Sequence, residues 1–371
     1  MKEYLKKYKI ETITIIIILL FSLLNMYKAP LLNDSYQHHF IKQILWIIIG
    51  ILLSVVIYKI KFKTIFRYRY IFYIINILML IYVLLFSKST NGIKAWFKIG
   101  SISFQPSELL KITFPLSVIK LVKDKKYILS FILFLLPSIL IILEPDTGNF
   151  ILLFIIYIYL LLNKSNKKYI FLLSILFLSL IFISVIVFIY YPNIMINFLD
   201  GRLYYRFKRL ISIKNNFQIN NALIGIGSAS LLPTKLKKLL IYIPEGITDF
   251  ILSFNICNFG IILTFILLLS YLLFIINIMK RYKKGLYYLK KKIIGTFLTI
   301  FIVQSIYNIL MNIGIVPIMG IPLPFLSYGG SNIITYFILY TLTTKKISSI
   351  EDKDNNNYKN NYHKVLVGNN N

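Results

Sequence analysis

The sequence predicts an all-α polytopic membrane protein, with about ten transmembrane helices and a large extracytoplasmic loop between helices seven and eight. Its 371 residues are 58% hydrophobic and only 15% charged, whereas about a quarter of the residues in a soluble domain are charged. Apolar runs repeatedly approach the ~20 residues that a helix needs to cross a bilayer. Basic residues punctuate these runs, as they do in cytoplasmic loops of membrane proteins.

The net charge and the cysteine content exclude several classes of function. Lys and Arg outnumber Asp and Glu by 42 to 13, which gives a formal net charge of +29. Because the basic residues are spread between apolar runs and form no single patch, we predict a membrane partner and no nucleic acid. Cys257 is the single cysteine, and the three histidines are scattered. Disulfides and multi-ligand metal centres therefore have no sequence signal.

The predicted helices begin and end at recognisable signals. The first apolar run follows a basic leader but precedes no small-residue cleavage site, so we interpret it as a retained helix. The fourth begins at Ser107, after Pro106 and with Glu108 in its first turn, which is typical of a helix N-terminus. The ten predicted helices span approximately residues 10–26, 40–60, 70–86, 107–120, 128–143, 149–162, 169–190, 249–279, 293–313 and 331–344.

Alternating basic loops place both termini in the cytoplasm. We treat residues 1–347 as one transmembrane domain with an extracytoplasmic loop at about 191–248, and residues 348–371 as a disordered cytoplasmic tail. Away from the termini, seven of the eight acidic residues then fall on the outer side. Acidic residues contribute little to topology, so this segregation indicates an outward-facing polar site.

The predicted outer loop is unexpectedly basic. Long loops can translocate despite positive charge, so tolerance without function is one interpretation. The other is an anionic ligand at the outer membrane face, which we favour. Arg202, Arg206 and Arg209 fall at i, i+4 and i+7, on one face of a helix, and arginine binds phosphate oxygens in a bidentate manner.

Four motifs are spaced along nearly the whole chain. They are Gly-Ile-Lys-Ala-Trp (92–96) with Phe-Gln-Pro-Ser-Glu-Leu-Leu-Lys (104–111), Glu-Pro-Asp-Thr-Gly (144–148), Pro-Glu with Thr-Asp-Phe (244–250), and Gly-Ile-Pro-Leu-Pro-Phe-Leu-Ser-Tyr-Gly-Gly-Ser (320–331). In this order they resemble the SEDS family (RodA, FtsW and SpoVE), membrane glycosyltransferases that polymerise peptidoglycan strands from lipid II. Met-Asn-Ile-Gly at 311–314, followed by Gly-Ile-Pro-Leu-Pro-Phe, is more similar to the elongation protein RodA than to the division protein FtsW.

The resemblance implies a reaction at the outer face of the bacterial cytoplasmic membrane, in cell elongation and shape maintenance. A sugar hydroxyl of one lipid-linked disaccharide would be joined to the anomeric carbon of another, with release of undecaprenyl diphosphate. The implied partners are lipid II, the growing lipid-linked glycan and a class B penicillin-binding transpeptidase. The resemblance specifies no cofactor and leaves the metal requirement, including a divalent cation, open.

The resemblance also implies a set of site residues. Asp249 is the expected catalytic base because it matches the essential aspartate of the family, and a helix N-terminus after Thr248 would favour its ionised form. An ordinary N-terminal helix acid is the simpler alternative. Glu245 is expected to orient Asp249 or bind a cation, or else to be a solvated loop acid. The other expected residues are the supporting Thr248, Gln105, Glu108 and Lys111, and the substrate-binding Arg202, Arg206, Arg209, Trp96, Ser327, Gly329 and Gly330.

Simpler interpretations accompany several of these residues. Glu108 and Lys111, at i and i+3, are placed to form a buried pair at the start of a helix. Trp96 is also typical of an aromatic anchor at the membrane interface. Residues 327–331 are expected to form the turn and cap that position the tenth helix.

Two other functions stay open from sequence. A transporter or flippase for a lipid-linked precursor would explain ten helices with Pro and Gly breaks, but it predicts charges at mid-depth, whereas these acids lie at helix ends. A non-catalytic scaffold for a cell-wall transpeptidase would suit the degenerate Gly-rich segment at 224–230. Residues Gly246 and Ile247 also depart from the family, where basic or polar residues are frequent.

Overall fold

The computed structural model of the protein describes residues 7–87, 95–99, 102–162, 216–233, 243–285 and 287–345. The predicted seventh helix, the Arg202–Arg206–Arg209 face and the C-terminal tail lie outside these ranges.

Helices make up most of the described residues, and they follow the apolar runs closely. The first part of the chain forms α1 (Lys9–Lys28), α2 (His39–Lys59), α3 (Phe62–Arg67), α4 (Arg69–Phe86), α5 (Pro106–Lys123), α6 (Tyr127–Leu143) and α7 (Thr147–Leu161). The later part forms α8 (Phe217–Gly227), α9 (Ile251–Lys283), α10 (Tyr288–Asn312) and α11 (Gly330–Thr344). Every predicted helix within the described residues has a counterpart, with ends that differ by a few residues.

Five of the described helices, α1, α2, α4, α9 and α10, are long and apolar enough to cross a membrane. Two others, α6 and α7, are apolar but shorter. The number of ten crossings therefore stays a prediction.

The bundle is centred on α5, which contacts α4, α6, α7, α10 and α11. Most of its side chains are buried although its sequence includes Lys, Glu, Ser and Thr, so it is surrounded by protein on all sides. On another side, α1 packs against α2 and α9, and α11 packs against α2. Phe274, Phe297 and Phe301 join α9 to α10 through ring contacts between 4.9 and 6.0 Å.

The structure shows three features that the sequence did not predict, two in loops and one within a helix. The segment after Trp96 forms an antiparallel hairpin of β1 (Phe97–Ile99) and β2 (Ile102–Phe104). The degenerate Gly-rich segment lies in and after α8 and is partly helical. The predicted eighth helix is interrupted at Gly260, which has φ +77°. There the N–H groups of Ile261 and Ile262 donate to the Ser230 and Leu231 carbonyls at 3.1 and 3.2 Å, which satisfies donors that a helix start leaves free.

The bundle has two ends of different character. The start of α5, the end of α10 and the starts of α9 and α11 meet at one end, which we call the Asp249 end. At the other, the Glu11 end, Arg281 Nε lies 2.9 Å from Glu11 Oε1 and joins the end of α9 to the start of α1.

Candidate active site

Asp249 lies in a tight turn over residues 244–250, two residues before α9 begins at Ile251. The N–H groups of Thr248 and Phe250 both donate to the Glu245 carbonyl, at 3.1 and 3.0 Å. The prediction that the helix begins at Asp249 is therefore wrong by two residues, because the backbone of Asp249 belongs to this turn and the helix begins after it. Its side chain is half-buried.

Glu245 has a conformational role in the turn as well as a polar one. Its φ of +53° is in the left-handed region, which a side chain with a Cβ rarely adopts. Its carboxylate accepts a hydrogen bond from Thr248 Oγ1 at 3.0 Å. Glu245 and Thr248 thus stabilise the turn together, and their support of Asp249 in catalysis stays a prediction.

Two asparagines of α10 hold the backbone of Asp249 in place. The Asp249 carbonyl accepts from Asn308 Nδ2 at 2.9 Å and from Asn312 Nδ2 at 3.1 Å. Asn308 Nδ2 also donates to the Ile321 carbonyl at 2.9 Å, and Asn312 Oδ1 accepts from the backbone N–H of Ser253 at 2.9 Å. Sequence reasoning gave these asparagines no site role, although two amides four residues apart in an apolar helix are the signal that could have found them.

The loop before α11 is hydrogen-bonded to the same turn. Ser327 Oγ donates to the Thr248 carbonyl at 2.7 Å and accepts from the N–H of Leu323 at 2.8 Å. The N–H of Tyr328 donates to the Ile247 carbonyl at 2.8 Å. Ser327 was expected to help cap the tenth helix, but α11 has no side-chain cap at Gly329. Its hydroxyl instead fixes the position of the Asp249 turn.

The other two glycines of this loop have different settings. Gly329 has φ +156°, and a Cβ there would meet little but the side chain of Asn332. A Cβ on Gly330 would lie 2.2 Å from the indole of Trp46, so that ring packs directly on the glycine. Their predicted contact with substrate stays a prediction.

The Glu144–Asn149 turn forms a second polar cluster at this end. Asp146 Oδ2 accepts from Gln105 Nε2 at 2.7 Å, from Ser107 Oγ at 3.1 Å and from Asn149 Nδ2 at 2.9 Å. Its Oδ1 accepts from the N–H of Asn149 at 3.1 Å and so caps α7. Gln105 therefore binds Asp146, to which sequence reasoning gave no role, and its support of the site stays a prediction.

The loop at 319–321 joins the two acidic turns. A Cβ on Gly148 would lie 2.5 Å from the Met319 carbonyl, so the Asp146 turn packs directly on this loop. A Cβ on Gly320 would lie 3.9 Å from Asp249 Oδ2, so the same loop also borders the Asp249 carboxylate. Glycine is favoured at 320 for its φ of +63° as well.

Glu108 and Lys111 form the buried pair that their spacing predicts. Lys111 Nζ lies 2.6 Å from Glu108 Oε1, and both side chains are buried. Lys111 Nζ also donates to Gln304 Oε1 at 3.3 Å, while Gln304 Nε2 donates to the Pro322 carbonyl at 3.2 Å. The pair thus connects α5 to α10 and to the loop beside Asp249, and its support of the site stays a prediction.

Glu144 is the most unusual acid at this end. Its side chain is 0% exposed, and neither carboxyl oxygen has a hydrogen-bond partner among the described residues. Burial, together with the nearby negative charge of Asp146, raises the pKa of Glu144 to about 9. Its carboxyl is therefore neutral at pH 7. An acid at the end of an apolar run, directly before proline, was the sequence signal for it.

Trp96 and the three arginines complete the predicted set. Trp96 is partly buried and lies just before β1. Arg202, Arg206 and Arg209 lie outside the described residues. Within the described ranges, no group of three or more His, Cys, Asp or Glu side chains is placed to hold a metal ion.

Comparison with known sequences extends over almost the whole chain. A family model described as a cell cycle protein of the FtsW, RodA and SpoVE type matches residues 6–351. A probable peptidoglycan glycosyltransferase FtsW of Wigglesworthia glossinidia brevipalpis is 29% identical over 335 residues, 82% of this chain and 83% of that one. The peptidoglycan glycosyltransferase MrdB of Helicobacter pylori is 29% identical over 322 residues, 81% of each chain.

Solved structures share the fold. A chain of a peptidoglycan synthase complex, in which polymerization and crosslinking are coordinated, aligns with a TM-score of 0.71 over 90% of this chain and 95% of that chain, at 19% identity. The rod shape-determining protein RodA of Thermus thermophilus aligns with a TM-score of 0.62, also at 19% identity, over 91% of this chain and 94% of that one. The predicted helical membrane fold is confirmed by this likeness.

Proposed function

The chain belongs to the FtsW, RodA and SpoVE family, and on that premise we propose that it is a peptidoglycan glycosyltransferase that polymerises lipid II at the outer face of the cytoplasmic membrane. The observation that carries the proposal is the placement of Asp249. Two buried asparagines and the Ser327 loop hold its turn at one end of the bundle, while its side chain stays partly accessible.

The reaction requires a base, a neutralised leaving group and a bound lipid. Asp249 is proposed to remove the proton from the attacking sugar hydroxyl. The hydroxyl oxygen then bonds to the anomeric carbon of the second lipid-linked sugar, and the bond from that carbon to the diphosphate breaks. Arg202, Arg206 and Arg209 are proposed to neutralise the departing diphosphate.

Fixed backbone geometry supports the choice of Asp249 as the base. A carboxylate that must reach a hydroxyl works best when its position is set before substrate binds. Here the carbonyl of the same residue receives two amide hydrogen bonds from one helix, and its neighbour Thr248 receives one from Ser327. Glu245 is proposed to keep the turn in its left-handed conformation.

The finer assignment is to the elongation branch, with a class B penicillin-binding transpeptidase as partner. Residues Met311–Gly314 and the following Gly-Ile-Pro-Leu-Pro-Phe are closer to RodA than to FtsW. A polymerase of glycan strands needs a coupled cross-linking activity, and one structure of the same fold comes from a complex that coordinates both.

Polymerisation of lipid II by purified Asp249→Asn protein tests the proposal. Asparagine has nearly the same size but cannot accept a proton at neutral pH, so strand synthesis is expected to fall about 10²–10⁴-fold. Asp34→Asn is the matched control, because Asp34 is exposed on the turn between α1 and α2 and lies outside the proposed machinery. Strand synthesis by Asp249→Asn at near wild-type rate would overturn the mechanism.

The same reconstituted vesicles discriminate between the other two functions. A flippase would move lipid II across the bilayer without making strands, and a scaffold would do neither. Glycan strands that require Asp249 exclude both as the main activity.

The proposed orientation, with the Asp249 end outside and both termini inside, has its own test. Single cysteines replace Asn216 or Lys284 in a Cys257→Ser background, and intact cells receive a membrane-impermeant thiol reagent. Asn216→Cys is expected to be labelled from outside and Lys284→Cys to be protected. The reverse pattern would contradict the topology.

A further inference from the structure

A row of aromatic side chains lies beside the Asp249 turn and has no role in the chemistry above. The ring centroids of Tyr36 and His39 are 4.9 Å apart, and those of His39 and Tyr328 are 4.4 Å apart. All three side chains are partly exposed, so each keeps accessible surface. We call Tyr36, His39 and Tyr328 the aromatic shelf.

The shelf is attached to the candidate active site at both ends. The N–H of Tyr328 donates to the Ile247 carbonyl at 2.8 Å, two residues before Asp249. At the other end, Tyr36 lies close enough to the Glu245 carboxylate to interact with its charge. A molecule on the shelf would therefore lie next to the turn that holds the proposed base.

The structure also fixes the shelf from behind. The indole of Trp46 packs where a Cβ on Gly330 would be, 2.2 Å away, two residues after Tyr328. The rings come from segments nearly 290 positions apart in sequence, the turn before α2 with the first residue of α2 and the loop before α11. Tyr36 and Tyr328 pack against the hydrophobic core on one side, yet all three rings stay partly open at the Asp249 end.

The chemistry of the shelf fits a carbohydrate. A sugar ring has faces of C–H groups that pack on aromatic rings, and it has hydroxyl and amide groups around its edge. Tyrosine and histidine each combine an apolar ring with a polar tip, and Glu245 adds an acceptor alongside.

We propose that the aromatic shelf is a carbohydrate subsite for one N-acetylated sugar ring of the lipid-linked disaccharide. The subsite rests on the proposed function and names where that function holds its sugar. It would position the ring for the Asp249 turn and would contribute to substrate binding rather than to proton transfer.

Binding of a water-soluble N-acetylglucosamine–N-acetylmuramic acid disaccharide to the full-length protein tests the subsite by saturation-transfer NMR. Tyr36→Leu and His39→Leu each replace an aromatic ring by an aliphatic side chain. Each variant is expected to weaken binding about three- to tenfold. Tyr27→Leu is the control, because Tyr27 is 70% exposed, near the end of α1, and lies outside the shelf. Unchanged binding in both shelf variants, or no binding by the wild type, would overturn the subsite.

Polymerisation kinetics give the second measurement. The shelf variants are expected to raise the KM for lipid II by a similar factor and to leave kcat nearly unchanged. A fall in kcat at unchanged KM would overturn the subsite, because it would assign these rings to the chemical step. The proposed function would be contradicted by a different result, strand synthesis by Asp249→Asn. Because disaccharide binding requires no turnover, failure of the subsite can be distinguished from failure of the proposed function.

Discussion

The two ends of the bundle treat buried charge in different ways. At the Glu11 end, Arg281 and Tyr340 both reach the Glu11 carboxylate, at 2.9 and 2.8 Å. Lys292 Nζ donates to the carbonyls of Tyr159, Leu160 and Leu162, all within 3.1 Å. These polar groups connect helices, and each charge has an oppositely charged or carbonyl partner. Nε of Arg281 forms its ion pair outside hydrogen-bond geometry.

At the Asp249 end, one acid is fully hydrogen-bonded, another has no hydrogen-bond partner among the described residues, and two residues have strained backbone conformations. Asp146 receives four hydrogen bonds, yet Glu144, two residues earlier, has no partner among the described residues. Glu245 and Phe325 have φ of +53° and +62°. Unfavourable conformations and unpaired buried groups persist where another requirement selects them. Lys125, just beyond the end of α5, also has a positive φ, of +58°, so the unpaired Glu144 carboxyl, rather than strain, sets the Asp249 end apart.

Arg281→Met, at the Glu11 end, should give the largest loss of stability with little change in activity per folded molecule. It leaves the buried Glu11 carboxylate without its cation, and breaking a buried pair from one side costs about 3–5 kcal/mol of unfolding free energy. Activity per folded molecule should stay near that of the wild type, because Arg281 is far from Asp249 along α9. Denaturation in detergent micelles and lipid II polymerisation measure the two effects.

The double variant Glu11→Leu with Arg281→Met sharpens that result. Removing both charges should recover most of the lost stability. A large loss of activity at full folding in the single variant would contradict the division between the ends.

Glu144→Gln, at the Asp249 end, should increase the stability of the protein, by an amount that depends on pH. The pKa of Glu144 is raised to about 9 in the folded protein, against an ordinary value of 4.5. The folded state therefore holds this proton more tightly, and its stability falls as the pH rises from about 4.5 towards about 9. Glutamine stays neutral, so the variant should be more stable than the wild type by on the order of 5 kcal/mol at pH 8 and by about 1 kcal/mol at pH 5.

Thermal unfolding at the two pH values measures the effect of Glu144→Gln. Asp34→Asn, on an exposed turn, should show no such difference between pH 5 and pH 8. An equal change in stability at both pH values would mean that Glu144 is not the titrating group.

Asn308→Leu tests whether the α10 asparagines position the base. The Asp249 and Ile321 carbonyls would lose a donor, and a small displacement of a catalytic group can reduce the rate about 10²-fold. Asn76→Leu is the matched control, since Asn76 is about equally buried but bonds to Pro106, Leu110 and Thr113 of α5 rather than to the Asp249 turn. Both variants should lose stability, and only Asn308→Leu should lose strand synthesis per folded molecule.

The sequence by itself determined the membrane class and the limits of most helices, because a chain that crosses a bilayer must place apolar residues in runs of fixed length. The Glu108–Lys111 pair was also predictable, since side chains three positions apart share a helix face. The motifs around Asp249, Glu144 and Ser327 identified the segments that are proposed to carry the chemistry.

Only the tertiary structure decided what those segments do to one another. Ser327 binds the carbonyl of Thr248, 79 positions earlier, and Asn308 binds that of Asp249, 59 positions earlier; no local pattern encodes either pairing. The neutral state of Glu144 likewise depends on the protein that excludes water around it. Periodicity and motifs are properties of neighbouring residues, whereas partners, burial and protonation depend on how distant segments pack.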